Sequence, residues 1–203
     1  MATTQPAAKP RTRATPATRK KNSRNGTGAL FGAAAAGVAM GVAAMIGRKV
    51  AVQAPTRLAG DWDQALAAEH IATLKIFDAL EATTVANTVK RSMLLMQLKH
   101  ALSKHALQEE STVYPALRDA GEVEGADQLN HEQGYAKQHL YRLSNCPTDS
   151  IAFLDIVRKF RSDLVSHMRD EEDTLFPALK SKLSEAENKA LTTAMNKEGF
   201  KLA

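Results

Sequence analysis

The sequence predicts an all-α protein: an antiparallel four-helix bundle with a short C-terminal helix and a basic, Ala/Gly-rich N-terminal extension. Three observations support this class. Four long amphipathic stretches, separated by turn-forming residues, follow Asp61. None of them alternates polar and apolar residues as a strand would. A thirteen-residue segment also recurs 62 positions later, which indicates a duplicated pair of helices.

The N-terminal extension differs sharply in charge from the rest of the chain. Residues 1–60 contain ten basic residues and no acidic one, whereas the remainder holds 17 basic and 22 acidic residues. Residues 1–28 lack the apolar side chains needed to offset the entropy of ordering, so we expect a disordered basic tail. We do not expect nucleic acid as a partner, because no aromatic residue is interleaved with these charges.

Residues 29–47 are an apolar Ala/Gly-rich segment, predicted to be helical and to reach a membrane surface. A weakly ordered linker, a signal sequence and an organelle transit peptide are the alternatives. We expect membrane contact through residues 19–49, and small-xxx-small spacing would let helix 28–47 self-associate. The protein is then cytoplasmic or membrane-associated. A linker is expected over 48–60.

The bundle domain is assigned to 61–183. Asp61 is a good N-cap for its first helix. The four helices are expected over 61–83, 85–114, 126–143 and 151–176. Pro115 and Pro177 should kink or end the second and fourth helices, since proline removes a backbone donor. Residues 184–203 form a final helix and tail, with Ser184 and Glu187 spaced as a capping box.

The repeated segment carries the chemistry. HALQEESTVYPAL, from His105, recurs as HMRDEEDTLFPAL, from His167, with seven identical positions. Residues four apart lie on the same face of a helix, so His105 pairs with Glu109 and His167 with Glu171. Two further histidines precede these pairs by similar distances: His70 lies 35 residues before His105, and His131 lies 36 before His167.

These polar pairs lie within the apolar, core-facing stripes of their helices. An unpaired buried carboxylate is costly, and a bound cation would remove that cost. On the third helix, His131 keeps the repeat spacing and His139 is the alternative ligand. Tyr135, one turn beyond His131, could supply a hydroxyl beside it. The competing interpretation is a duplicated hairpin whose His and Glu only hydrogen-bond in the core.

The pattern H…HxxxE…H…HxxxE resembles the hemerythrin-like family, also called the HHE cation-binding domain, over roughly residues 62–180. That resemblance implies a bundle holding two irons. Its ligands would be four imidazoles (His70, His105, His131, His167) and two bridging carboxylates (Glu109, Glu171). The oxygen-carrying members place another His where this chain has Tyr135, so the resemblance favours reversible O2 carriage less.

We therefore expect a non-haem di-iron protein that binds, senses or reduces a small diatomic or peroxide ligand (O2, NO or peroxide), with a role in stress response. Oxidoreductase activity is compatible with this site. An iron storage or delivery module and a reversible O2 carrier are the alternatives. Imidazoles and carboxylates without thiolate also suit manganese.

Overall fold

A computed structural model describes residues 1–3 and 44–203. Residues 44–203 lie within one compact unit. The predictions for the basic tail and for most of the apolar segment 29–47 lie outside the described residues. No helix within the described ranges is long and apolar enough to cross a membrane.

Residues 44–203 are predominantly helical and contain no strand, as the sequence predicts. Helix α1 covers residues 44–58 of the described chain. The elements that follow are α2 (Trp62–Glu81), α3 (Thr88–Gln108), the π-helix π1 (Glu109–Val113), α4 (Tyr114–Asp119), α5 (Val123–Asn145), α6 (Ala152–Asp170), the π-helix π2 (Glu171–Leu175), α7 (Phe176–Lys182) and α8 (Glu185–Leu202).

Four long helices form the bundle. Helix α2 packs against α3 and α6, and α5 packs against α6 and α3, which closes a ring of four. Helices α5 and α6 are antiparallel, because Glu132 contacts His167 whereas His139, further along α5, contacts the earlier Asp163. The short connections between the helices are typical of such bundles.

The core is divided into two apolar clusters. One lies towards α8 and includes Trp62, Leu129 and Phe176, whereas the other includes Phe77, Leu98 and Phe160. In each cluster an edge-to-face aromatic pair joins two helices, with ring centroids 5.2 Å apart for Trp62–Phe176 and 5.3 Å for Phe77–Phe160. A band of buried polar residues lies between the two clusters.

Both helices that precede a proline continue past it. Tyr114 N–H donates to the carbonyl of Glu109, and Phe176 N–H donates to that of Glu171, which are the five-residue bonds of a π turn. Proline has no backbone N–H to donate, and the extra residue in each π turn accommodates Pro115 and Pro177 within the helix. The helices therefore do not stop at these prolines, and the duplicated segments each contain a π turn that starts at the repeated Glu.

The ends of the bundle only partly match the sequence prediction. Helix α8 has the expected capping box between Ser184 and Glu187 and runs further than predicted. Asp61 occupies the N-cap position of α2, but its side chain makes no capping hydrogen bond there. The expected linker over 48–60 is instead largely helical. Helix α1 packs on the bundle, where Gln53 and Thr56 are buried.

Candidate metal centre

Four buried side chains meet between the two apolar clusters. His70 comes from α2, His105 from α3, Glu109 from π1 and Glu171 from π2, and one ligand atom from each lies within 4.8 Å of the others. His70 and His105 are at most 4% exposed, and both glutamates are fully buried. The duplicated His-x3-Glu motifs thus face each other across the bundle.

The separations between these donor atoms suit ligands of a common ion. His105 Nε2 lies 2.9 Å from Glu109 Oε1 and 2.9 Å from His70 Nε2. Glu171 lies 3.3 Å from His70 Nε2 through Oε2 and 3.3 Å from His167 Nε2 through Oε1. Adjacent ligands at about 2.1 Å from an octahedral ion are about 3 Å apart. The residues therefore fit a cation held by imidazole and carboxylate.

Three inward-facing atoms support that fit. Glu109 Oε1, Glu171 Oε2 and His167 Nε2 are buried, and none has a hydrogen-bond partner within the described part of the chain. The short distances at these atoms lack hydrogen-bond direction, so the atoms converge on a shared space instead of pairing. Buried polar atoms rarely stay unsatisfied. A cation among them would supply the missing interaction.

Each of the three histidines has a carboxylate on its outer nitrogen. Nδ1 lies 2.5 Å from Glu172 Oε1 in His70 and 2.8 Å from Glu132 Oε2 in His167. In His105, Nδ1 lies 3.2 Å from Glu69 Oε2. A carboxylate at Nδ1 favours the tautomer with its proton there, which leaves the Nε2 lone pair facing inward. The rings are thus oriented as metal ligands usually are.

Two neutral groups close the other side of the carboxylate pair. The Tyr114 hydroxyl lies 2.8 Å from Glu171 Oε1 and 3.1 Å from Glu109 Oε2. Gln133, from α5, donates to Glu109 Oε2 at 2.6 Å and to the Tyr114 hydroxyl at 3.1 Å. The π turn brings Tyr114 here, since residues five apart on an α-helix would point about 140° apart.

The electrostatics indicate a shortage of positive charge. Burial and the charge of Glu109 raise the pKa of Glu171. Burial also raises the pKa of Tyr114 well above its usual value, and both glutamates add to this effect. Burial would lower the pKa of His105, but Glu109 and Glu69 raise it well above the ordinary value. Protons on imidazoles or a bound cation can compensate the two buried carboxylates.

The structure corrects the prediction for His131. Its side chain is exposed, and Nε2 lies 3.2 Å from the hydroxyl of Tyr135, which is also exposed. Helix α5 directs Leu129 and Gln133 inward, and His131 lies about 160° around the helix from Gln133. The predicted symmetric set of four His and two Glu is therefore reduced to three His and two Glu.

His139, the alternative ligand, is buried but lies outside the donor group. Its ring stacks on Phe160 at 4.9 Å, and Nε2 lies 2.9 Å from Asp163 Oδ2. Both His139 and His167 line a cavity of about 260 Å³ whose walls also include Glu132, Tyr135 and Phe160. This cavity brings one side of the centre close to the surface.

Sequence reasoning missed four residues of the site: Glu69, Tyr114, Glu132 and Gln133. Two signals were available. A strict 62-residue shift aligns His70 with Glu132, not with His131. The same shift aligns Tyr114 with Phe176, so the first copy alone has a hydroxyl at that position.

Comparison with known proteins agrees with this geometry. The family model described as the hemerythrin HHE cation-binding domain matches residues 63–179. The crystal structure of a hemerythrin HHE cation-binding domain-containing protein from Mycobacterium kansasii superposes with a TM-score of 0.63. It is 22% identical in sequence, and the match covers 70% of this chain and 87% of that one. This similarity concerns the fold.

A second similarity is partial. A protein of Nostoc sp. named DNA nickase is 30% identical over 97 residues, which are 48% of this chain and 28% of the nickase. The chain therefore matches less than a third of that protein's length. Because the family model covers more than half of the chain, over the segment that carries both His-x3-Glu motifs, this protein belongs to the hemerythrin HHE cation-binding domain family.

Proposed function

We propose that this protein is a non-haem iron protein whose centre binds and reduces a small oxidant such as O2, NO or peroxide. The observation that carries the proposal is the convergence of three imidazoles and two buried carboxylates, three of whose inward-facing atoms lack hydrogen-bond partners among the described residues. Nitrogen and oxygen donors without thiolate suit iron, with manganese as the competing metal.

The donor set is arranged for two ions in unequal positions. Glu171 extends one oxygen towards His70 and the other towards His167, so its carboxylate can bridge. His70 and His105 would hold one ion together with both carboxylates. His167 would be the sole imidazole of the second position, because His131 is exposed. The second ion would therefore be bound more weakly.

The surrounding residues would orient the ligands, place a proton beside the carboxylates and exclude water. Glu69, Glu132 and Glu172 hold the outer nitrogens of the histidines and fix the ring directions. The Tyr114 hydroxyl keeps a proton beside the two carboxylates. The apolar clusters on both sides exclude water. Iron held there would supply electrons for reduction of the oxidant.

The cavity beside His167 supports small-molecule access. It lies next to the position with fewer protein ligands, where solvent or a small ligand would complete the coordination. A diatomic molecule or peroxide is small enough for this space.

Metal analysis of purified variants tests the proposal. We expect two irons per chain in the wild type and in His131→Ala, since that side chain lies outside the cluster. His167→Ala should lose about one iron, and Glu171→Ala should disturb both ions because its carboxylate contacts both sides. Equal metal content in all four proteins would reject the assignment. Ready exchange of iron with chelators, without reaction towards oxidants, would favour storage or delivery.

A further inference from the structure

A buried ion pair lies directly behind the metal centre. Lys104 is 5% exposed, and its ammonium lies 2.6 Å from Glu69 Oε1. The same ammonium donates to Thr56 Oγ1 at 2.9 Å, and the Thr56 hydroxyl donates to Glu69 Oε1 at 2.6 Å. Thr56 belongs to α1, so this network joins α1, α2 and α3.

The second oxygen of Glu69 faces the metal centre. Glu69 Oε2 lies 3.2 Å from His105 Nδ1. The Gln108 side chain is fully buried. With its amide nitrogen facing Glu69, it donates to the same oxygen at 2.9 Å. Both oxygens of Glu69 are therefore held, and its direction relative to His105 is fixed.

The other two carboxylates that orient histidines are not held in this way. Glu172 is 39% exposed and Glu132 is 28% exposed. Neither has a Lys or Arg within ion-pair distance among the described residues. The residue that corresponds to Lys104 in the second half of the chain is Ser166, which cannot replace the ammonium. The held carboxylate is thus specific to His105.

Helix α1 is also fixed by its own contacts. Gln53 donates to Asn196 of α8 at 3.0 Å. A Cβ atom at Gly199 would lie 2.7 Å from the nearest atom of the Gln108 amide and 2.9 Å from Gln53 Oε1. A side chain at position 199 would require these two amides to move. The position of Thr56 over Glu69 is therefore set by the packing of α1 against α3 and α8.

We propose that α1 positions His105 for metal binding through Thr56, Lys104 and Glu69. The packing of α1 on the bundle then controls the metal affinity of the position formed by His70 and His105. The inference rests on the proposed iron-binding function. A buried ion pair contributes little net stability compared with apolar residues of similar volume. Fixing a carboxylate that orients a ligating histidine has a larger effect, because losing such a partner reduces metal affinity by roughly 10–100-fold.

Iron release from the full-length protein tests the inference. Lys104→Met, Thr56→Val and the double variant are loaded with Fe²⁺ without oxygen, and a coloured chelator then removes the metal. Relative to the wild type, we expect release about tenfold faster from Lys104→Met and about threefold faster from Thr56→Val. The double variant should be no faster than Lys104→Met, because both changes free the same carboxylate.

Matched controls are Lys99→Met, an exposed lysine of α3 that donates to Ser144, and Thr193→Val, an exposed threonine of α8. Both should release iron at the wild-type rate. Wild-type release from Lys104→Met and Thr56→Val, or accelerated release from the controls to the same extent, would overturn the inference. A wild-type protein that binds no Fe²⁺ would instead reject the proposed function.

A spectroscopic measurement separates positioning from general loosening. In Co²⁺-loaded protein, paramagnetically shifted proton signals report the Nδ1–H of each ligating ring. Lys104→Met should accelerate solvent exchange of the His105 signal and leave those of His70 and His167 unchanged. Equal acceleration of all three signals would mean that the variant only loosens the bundle, and would overturn the inference.

Discussion

Replacing Glu171 by glutamine should lower the stability of the metal-loaded protein but not that of the metal-free protein. The side chain is fully buried, and its Oε2 has no hydrogen-bond partner among the described residues. Without metal, Glu171→Gln removes a buried charge beside Glu109, so the free energy of unfolding should stay level or rise by about 1 kcal/mol. With iron, the variant loses a ligand that faces both His70 and His167.

The expected loss in the iron-loaded protein follows from linkage. At saturating free metal, a 100-fold loss of affinity removes about 2.7 kcal/mol of stabilisation. For a domain of this size, each kcal/mol shifts the melting temperature by about 2–4 °C. After the rise of up to about 1 kcal/mol without metal is subtracted, the iron-loaded variant should melt about 3–10 °C below the loaded wild type.

Thermal unfolding of chelator-treated and anaerobically Fe²⁺-loaded protein measures both values in parallel. His131→Ala is the control, and it should keep the wild-type increase on metal loading. A loss of equal size with and without metal would show that Glu171 has only a packing role. That result would refute the metal assignment.

Three further predictions concern other parts of the chain. Arg91→Met should lower the free energy of unfolding by about 2–4 kcal/mol in denaturant titrations. The buried Arg91 guanidinium donates hydrogen bonds to the Thr83 hydroxyl and to the carbonyls of Thr148 and Ser150. Fragment 44–203 should fold and bind iron but lose the membrane association expected from residues 19–49, as measured by vesicle co-sedimentation. In stopped-flow mixing, the reduced protein should be oxidised by O2, and degassing should not restore its original spectrum.

The sequence could predict those parts of the site that depend on contacts within one helix. His105 with Glu109, and His167 with Glu171, are four residues apart, so any helix brings them to one face. His70 could also be predicted as a ligand, because the apolar residues of α2 indicate which face of that helix points into the core. The all-α bundle followed from the same periodicity and is confirmed.

Helix α5 shows where periodicity fails. It is rich in polar residues, and both of its faces carry side chains that could bind metal. Its rotation is set by packing of Ala126, Leu129 and Leu143 against the other helices. The spacing of His131 suggested one rotation, and the core selected another. Gln133, which no metal-binding motif would identify, consequently faces the site.

The π turns explain a second omission. A helix that continued regularly from Glu109 would direct Tyr114 away from the carboxylates, and the prolines predicted that the helices kink or end there. The five-residue bonds at Glu109 and Glu171 instead carry both helices past proline. Such turns depend on accommodating proline within a packed helix, which local propensity does not describe.

The duplicated halves thus supply a common framework and different surroundings. Each half supplies the His-x3-Glu pair, the π turn and the proline. The first half adds His70, the Tyr114 hydroxyl and the held carboxylate of Glu69, whereas the second half has Glu132, Phe176 and the exposed His131 at the matching places. Two ions bound between these halves would be coordinated by unequal sets of ligands. On the proposed function, a small oxidant would reach the ion beside His167, which would have fewer protein ligands, while the position with His70 and His105 would bind its ion more tightly.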